Sequence, residues 1–212
     1  MKRVIFYFDG FNFYNGLRDK SIKEPCWKNY YWIDLFKFCS QFVYEGSELI
    51  AVKYFTSPPM NDQKRSKQSA FFGANKILNN DKFIVHNGKF SNKEIECRGD
   101  CKKTFYHLEE KRTDVCIAVT ILLDCFNDAV DTIVLVSADS DQIPTIQAIK
   151  KQFPHKKLKV YFPPDRNSAD ILQHANPVVY LDNHEDKFKE AIMPTIVEFD
   201  KKKYTKPTEW KG

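Results

Sequence analysis

VIFYFDGFN, at residues 4–12, begins with five consecutive aliphatic or aromatic residues and turns polar at Asp9. Such a run, without alternation of polar and apolar residues, is typical of a strand covered on both faces, as in a parallel sheet. Gly10 and Asn12 follow, so the strand ends in a polar turn. The stretch therefore predicts a buried parallel strand whose carboxyl end presents an aspartate.

Similar runs recur along the chain, separated by segments with the length and apolar spacing of helices. The strand candidates are residues 2–8, 48–56, 82–85, 132–137, 158–162 and 177–181. The helix candidates are residues 31–44, 62–78, 113–127, 141–152 and 168–174. This alternation predicts an α/β fold with a doubly wound, mainly parallel sheet and helices on both faces.

The length and composition favour one large domain. The chain has 212 residues, of which 42% are hydrophobic and 15% aromatic, enough to bury a sizeable core. We expect a single domain over residues 1–212, with a hairpin insertion at about 86–108 and a C-terminal arm at about 183–212. An Asn-Gly turn signal at Gly88 marks the insertion. Trp210 would dock the arm if it finds a pocket.

Charge, hydropathy and cysteine content limit the class of protein. The 33 Lys and Arg residues exceed the 28 Asp and Glu residues, and the net charge of +5 favours contact with a polyanion without requiring it. The apolar run at residues 4–8 is too short for a signal-peptide core or a membrane span. We therefore expect a soluble, cytoplasmic protein with no membrane partner, whose six cysteines are reduced thiols.

Acidic residues gather at one edge of the expected sheet. Asp9 closes the first strand, Asp139 and Asp141 follow the strand at 132–137, and Asp114 lies in the first turn of the preceding helix. Parallel strands end at one edge, where ligands bind in open α/β sheets. If the two strands are neighbours, about 4.8 Å apart, a divalent cation can bridge Asp9 and Asp139. Ligands that are all oxygen point to Mg²⁺ or Mn²⁺.

Simpler structural roles compete with this interpretation. Helix capping is the alternative for Asp114 and Asp141. Ser168 opens the helix at 168–174, whose N-terminus could hold a phosphate or could simply be capped by this side chain. Asp124 lies ten residues after Asp114, about 1000° of rotation and about 15 Å further along the helix. We therefore expect Asp124 to be structural.

Three motifs, taken in order, are similar to those of one nuclease family. They are FDGFN at residues 8–12, EKRTDV at residues 110–115 and VSADSD at residues 136–141. Together with Asp170 and the late Trp210, they make the chain resemble the NYN family of PIN-like nucleases, in its LabA-like branch. The resemblance covers most of the chain and implies a Rossmann-like, PIN-like fold.

The resemblance also implies an activity and a set of site residues. It implies a metal-dependent ribonuclease that hydrolyses RNA phosphodiester bonds, endonucleolytically, through a metal-activated water. Mg²⁺ or Mn²⁺ would be held by Asp9, Asp114, Asp139 and Asp141, and Asn12 would orient a ligand or the bound water. These five residues are the catalytic candidates.

Three positions depart from the family's pattern, and none of them is one of the acids. Arg112 stands where the family often has glycine, and Gln142 stands where it often has an apolar residue. Ala138 likewise replaces a residue that is often glycine or asparagine. These departures bear on substrate preference.

Any RNA binding must come from the metal and from basic residues around the acids, because carboxylates repel the RNA backbone. The main nucleic-acid-binding candidates are Lys53, Arg65, Lys111, Arg112 and Ser168, with Lys64, Lys67 and Arg166 behind them. The aromatic candidates for base stacking are Phe11, Phe13, Tyr54, Phe55, Phe90 and Tyr106. Stacking would favour single-stranded or looped RNA. Core packing is the alternative for the aromatic residues, and a solvated helix face is the alternative for Lys64, Arg65 and Lys67.

Several alternatives stay open. A catalytically weak NYN module that binds RNA or protein is the rival function, whereas a phosphatase is disfavoured because a second aspartate two residues after Asp9 is missing. Cys97 and Cys101, with His86 and His107 nearby, could hold a structural Zn²⁺, and free cysteines on a hairpin are the alternative. A homodimer is a further candidate assembly.

Overall fold

A six-stranded parallel sheet forms the centre of the computed structural model, which describes residues 1–97 and 103–210. The strands in chain order are β1 (Lys2–Asp9), β2 (Ser47–Thr56), β3 (Phe83–Asn87), β4 (Lys89–Glu96), β5 (Thr104–Lys111), β6 (Thr132–Val136), β7 (Lys157–Phe162), β8 (Val178–Tyr180), β9 (Ile196–Phe199) and β10 (Lys202–Thr205). The helices are α1 (Gly10–Lys23), α2 (Leu35–Ser40), α3 (Asp62–Asn79), α4 (Thr113–Phe126), α5 (Ile143–Gln152), α6 (Ala169–His174) and α7 (Glu185–Glu190).

The strand order places β1 at the centre of the sheet. The order is β3-β2-β1-β6-β7-β8, and every neighbouring pair is parallel. Phe8 of β1 lies opposite Val136 of β6, so the two strands whose aspartates were expected to meet are adjacent. The predicted α/β fold with a doubly wound parallel sheet is confirmed.

Alternate side chains of β1 serve two hydrophobic layers. Phe6 and Phe8 pack in one layer with residues of α1, α2 and α3, including Phe13 and Phe71. Tyr7 packs in the other layer with residues of α4, α5 and α6. Because successive strand side chains point to opposite faces, one strand of buried residues supports helices on both sides of the sheet.

The segment after β1 forms a helix that the apolar pattern did not predict. Two glycines and a polar composition hide α1, whose first turn is capped by the Asp9 side chain accepting from Asn12 N. Gly10 is needed there because a Cβ atom would lie 2.5 Å from the Phe55 carbonyl oxygen. The close approach of α1 to β2 therefore fixes the direction in which the chain leaves Asp9.

The helix expected over 31–44 is shorter and divided. A 3-10 helix spans Pro25–Tyr31, and α2 begins only at Leu35, where Asp34 caps it. Between them Ile33 forms a β-bridge with Ile192, which holds the backbone extended. The apolar residues of this region thus pack into the core from two short helices and an extended segment, so one continuous helix does not form.

The hairpin and the C-terminal segment both depart from the central sheet. β4 and β5 pair antiparallel and form the predicted hairpin insertion. In the segment expected as an arm, β9 and β10 form a second hairpin, and the Tyr204 ring on β10 lies against Gly73 of α3. Trp210 is 9% exposed and packs 5.6 Å from the Tyr31 ring. Trp210 is therefore docked in the core.

Within residues 1–97 and 103–210, every helix is too short or too polar to cross a membrane.

Candidate metal centre at the carboxyl edge of the sheet

Asp9 lies at the carboxyl end of the central strand and is almost completely buried. Its side chain is 4% exposed. The backbone N–H of Asn12 donates to Asp9 Oδ1 over 3.0 Å, and the Ser137 hydroxyl donates to Asp9 Oδ2 over 2.9 Å. The start of α1 and the end of β6 therefore hold this carboxylate from two sides.

Asp139 is placed by the turn that follows β6. Its backbone N–H donates to Ser137 Oγ over 3.0 Å, and its Oδ1 accepts from the backbone N–H of Asp141 over 3.0 Å. Ser137 thus contacts both acids, because its hydroxyl donates a hydrogen bond to Asp9 and accepts one from the Asp139 backbone N–H. Sequence reasoning passed over Ser137; its position between a buried strand and Asp139 was the available signal.

Asp114 reaches the same point from the first turn of α4. Gln142 Nε2 donates to Asp114 Oδ1 over 3.1 Å, and the Gln142 side chain is fully buried. The other polar atom of that amide, Oε1, is buried without a hydrogen-bond partner. Gln142 was noted in the sequence only as a departure, yet it contacts one of the clustered acids.

These three carboxylates form a compact oxygen-rich group. One ligand atom from each of Asp9, Asp114 and Asp139 lies within 4.8 Å of the others, and this is the only such acidic, histidine or cysteine group in the described part of the chain. Oxygens that bind one hard cation at about 2.1–2.5 Å stand at most about 4.2–5 Å apart. The donor set therefore fits a divalent cation.

The electrostatics of Asp9 also favour a cation. Burial raises the pKa of Asp9 to about 7, hydrogen bonds from Asn12 and Ser137 oppose this, and the charges of Asp114 and Asp139 raise it further. A cation between the acids would favour the ionised form of all three. The pocket is thus unfavourable for three bare carboxylates and favourable for carboxylates around a positive charge.

Asn12 and Asp141 lie beside the cluster rather than in it. Asn12 Oδ1 accepts from the backbone N–H of Ala138 over 3.0 Å, which ties the start of α1 to the loop after β6. Asp141 is exposed, and its carboxylate does not belong to the compact group of three. The structure therefore brings together three of the four expected metal ligands.

The expected nucleic-acid-binding residues fall in different settings. Lys111 and Arg112 are exposed at the entrance to α4, and Arg112 has a left-handed φ of 80° that favours glycine. Arg65 is half-exposed and bonds the Pro59 carbonyl oxygen. Ser168 caps the six-residue α6 by accepting from a backbone N–H.

Lys53 has a structural partner. Its ammonium lies 2.6 Å from Asp124 Oδ2, both side chains are nearly buried, and the Tyr7 hydroxyl donates to the same carboxylate. This arrangement favours a structural role for Lys53 and agrees with the structural role expected for Asp124.

Three of the six aromatic candidates for base stacking belong to the core. Phe13, Tyr54 and Phe55 are buried, whereas Phe11 and Tyr106 are exposed. The side chain of residue 90 lies outside the described part. The core alternative therefore applies to three of these rings.

The zinc prediction falls partly outside the described residues. Cys97 is a half-buried free thiol, and residue 101 is not described. The His86 ring stacks on Phe55 with centroids 4.6 Å apart. A zinc site at Cys97 and Cys101 stays a prediction.

We expect Asp9→Asn to stabilise the metal-free protein. Since the folded pKa of Asp9 is raised, the folded state keeps a proton that the unfolded chain has released between about pH 4 and pH 7. Stability therefore falls across this window as pH rises, and Asp9→Asn removes that loss. Thermal melts in chelator should show a gain that grows from pH 4 to 7, at roughly 2–4 °C per kcal/mol. Glu45→Gln, at an exposed loop position, is the control; an equal gain at all pH values would contradict the assignment.

Gln142→Leu should weaken divalent-cation binding without unfolding the protein. Leucine keeps a similar volume in this buried site but cannot donate to Asp114, so one carboxylate loses its orientation. Loss of such an orienting contact typically costs about 10- to 100-fold in metal affinity. Mn²⁺ titration calorimetry measures the change; unaltered affinity in a folded variant would show that Gln142 does not position Asp114.

Comparisons with known proteins agree with this architecture and site. No curated protein matches the sequence. A crystal structure of a protein of unknown function from Vibrio parahaemolyticus shares the fold, with a TM-score of 0.56, 21% identity, and coverage of 86% of this chain and 94% of that one. The family model for the NYN domain matches residues 3–183. A chain with this match and with an acidic triad at the carboxyl edge of its sheet belongs to the NYN domain family.

Proposed function

We propose that this NYN protein is a ribonuclease dependent on Mg²⁺ or Mn²⁺ that hydrolyses internal phosphodiester bonds of RNA. The convergence of Asp9, Asp114 and Asp139 oxygens within 4.8 Å carries the proposal. The NYN family consists in general of PIN-like nucleases, which agrees with this use of an acidic group. The position of the group, at the edge where α/β sheets bind ligands, leaves it accessible to a substrate.

Each residue of the site has a distinct task in this proposal. Asp9, Asp114 and Asp139 would hold the cation, which when bound supplies Lewis-acid stabilisation and lowers the pKa of water. Ser137, Gln142 and Asn12 act by positioning. Ser137 bonds Asp9, Gln142 bonds Asp114, and Asn12 fixes the loop after β6.

Asp141 would act from outside the group of three. Its backbone N–H already orients Asp139, and its exposed carboxylate faces solvent at the same turn. From there it can accept a proton from water or order the solvent around the substrate. This task differs from the ligand role expected from the sequence.

Arg112 is the strongest candidate for contacting RNA phosphates. The residue is exposed two positions before Asp114, and its φ of 80° is unfavourable for a side chain larger than glycine. Arginine at such a position places an exposed guanidinium two residues before Asp114 at a cost in backbone energy. Together with the neighbouring Lys111, it would offset the repulsion between the carboxylates and the RNA backbone.

Cleavage assays test the proposed activity directly. Labelled single-stranded RNA, duplex RNA and single-stranded DNA are incubated with the protein in Mn²⁺, Mg²⁺ or chelator. We expect RNA cleavage with either cation, none in chelator, and a loss of at least about a thousandfold in Asp139→Asn, since removing a ligand disables the cation. Glu45→Gln should cleave like the parent protein.

Two results would overturn the activity. Cleavage by Asp139→Asn at the parent rate would exclude this site as the source. Tight RNA binding by a metal-loaded protein that never cleaves would favour the rival function, a binding module.

The surface of α4 supports a homodimer as a second proposed partnership. Val115, Val119, Leu123 and Phe126 are 67%, 48%, 54% and 79% exposed, and they form one apolar stripe along the helix. Two copies packed antiparallel would bury the stripe against itself. Arg112, at the N-terminal end of α4, would then lie near the C-terminal end of α4 in the other copy, which carries the negative pole of the helix dipole.

Val119→Glu should convert such a dimer into a monomer. A charge at the centre of the stripe would be desolvated in both copies, so association should weaken by at least about tenfold. Sedimentation velocity measures the change, with Ile22→Glu, at an exposed site on α1, as the matched control. A parent protein that stays monomeric at about 100 μM would contradict the dimer.

A further inference from the structure

A cavity of about 500 Å³ opens between α1, α3 and the loop after β2. Its lining includes Gly10, which directly follows Asp9, and Thr56 and Ser57 at the carboxyl end of β2. Because Asp9 lies opposite Phe55 on the neighbouring strand, the cavity opens at the same sheet edge as the acidic group. It is thus a second compartment directly beside the candidate metal centre.

Aromatic rings make up much of the cavity wall. Tyr14 is 41% exposed, and its ring lies 5.6 Å from that of Tyr31 with an interplanar angle of 34°. Phe11, one turn earlier on α1, is 51% exposed. Tyr54 and Phe72 close the inner end with ring centroids 5.3 Å apart. Exposed and tilted rings of this kind offer flat faces to a planar ligand.

Polar groups at the end of β2 contribute little to the cavity. Thr56 Oγ1 already accepts from Gln68 Nε2 over 3.2 Å. The Ser57 hydroxyl is buried and lies toward Gly88, in the turn after β3. The cavity therefore offers mainly aromatic faces to a ligand.

The charged side chains that line the cavity are basic. Arg18, Lys64 and Lys67 border it, and among the residues that the structure describes no aspartate or glutamate does. Lys67 pairs with Glu209 over 2.9 Å, whereas Lys64 has no ion-pair partner in the described ranges. A ligand with an aromatic part and a nearby negative charge matches these walls.

We propose that this cavity binds one unpaired nucleobase of the RNA whose phosphodiester lies at the acidic group. The idea rests on the proposed function and extends it to substrate recognition. The volume of about 500 Å³ has room for a nucleoside, and a base can enter the cavity only when it is unstacked from its neighbours. Tyr14 and Phe11 would stack on the base, and Lys64 would contact the adjoining phosphate.

The test measures binding separately from cleavage. The probe is a single-stranded ten-nucleotide RNA of adenines carrying one central 2-aminopurine, whose fluorescence falls on stacking, bound to Asp139→Asn protein in chelator. Adding Tyr14→Ala should weaken binding at least about fivefold and reduce the quenching, as expected for one lost base stack. Tyr44→Ala, an exposed tyrosine in the loop before β2, is the matched control and should change neither.

An oligonucleotide without bases provides a second test of the base site. A ten-residue strand with the same sugar-phosphate backbone but no bases should bind at least about fivefold more weakly than the probe, and Tyr14→Ala should not affect it further. Equal binding of the two strands, or a Tyr14→Ala variant within twofold of its parent, would overturn the base site. Failure of cleavage alone would refute the nuclease activity and leave the base site standing.

Discussion

Three carboxylates held close together at the end of a buried strand are the constraint on which the rest of this structure depends. Asp9 is 4% exposed, so water does little to screen it from Asp114 and Asp139. The chain offsets part of this repulsion with hydrogen bonds from Asn12 and Ser137. The remaining strain is electrostatic and is relieved by positive charge, which is why the site has a chemical preference before any ligand is considered.

The sheet topology produces the space for this group. The strand after β1 in sequence pairs on one side of it, and β6 pairs on the other, so the order reverses at β1. The helix that follows β1 packs in one hydrophobic layer, through Phe13, and the helix that follows β6 packs in the other, through Ile146. The two chain exits therefore diverge, and a crevice opens between Asp9 and Asp139.

The edge position of the acids could be predicted from the sequence, but their supports could not. Apolar runs that stop at Asp9 and before Asp139 identify strand ends, and parallel strands end together. The acids meet only if the two strands are neighbours, which the sequence does not show. The structure shows it in the pairing of Phe8 with Val136. The bonds of Gln142 to Asp114 and of Ser137 to Asp9 could not be predicted, because a hydrogen bond between side chains 28 or 128 residues apart leaves no local pattern. Helix α1 was not predicted because Gly10 disfavours a helix locally. The need for glycine arises from the close Phe55 carbonyl oxygen, on another strand.

Contacts between residues distant in sequence also explain why the aromatic residues could not be divided into core and ligand-binding residues from the sequence. Aromatic residues are frequent near the first strand. The sequence does not show which of these rings are buried in the two hydrophobic layers of the core. Tyr54 and Phe55 are adjacent and both buried, yet they face opposite layers. Tyr14 stays exposed because α1 turns its face toward the loop after β2, where the lining is basic and aromatic. A group of acids suited to a cation thus lies beside a cavity suited to a planar, anionic ligand, which is the arrangement that the proposed RNA substrate requires.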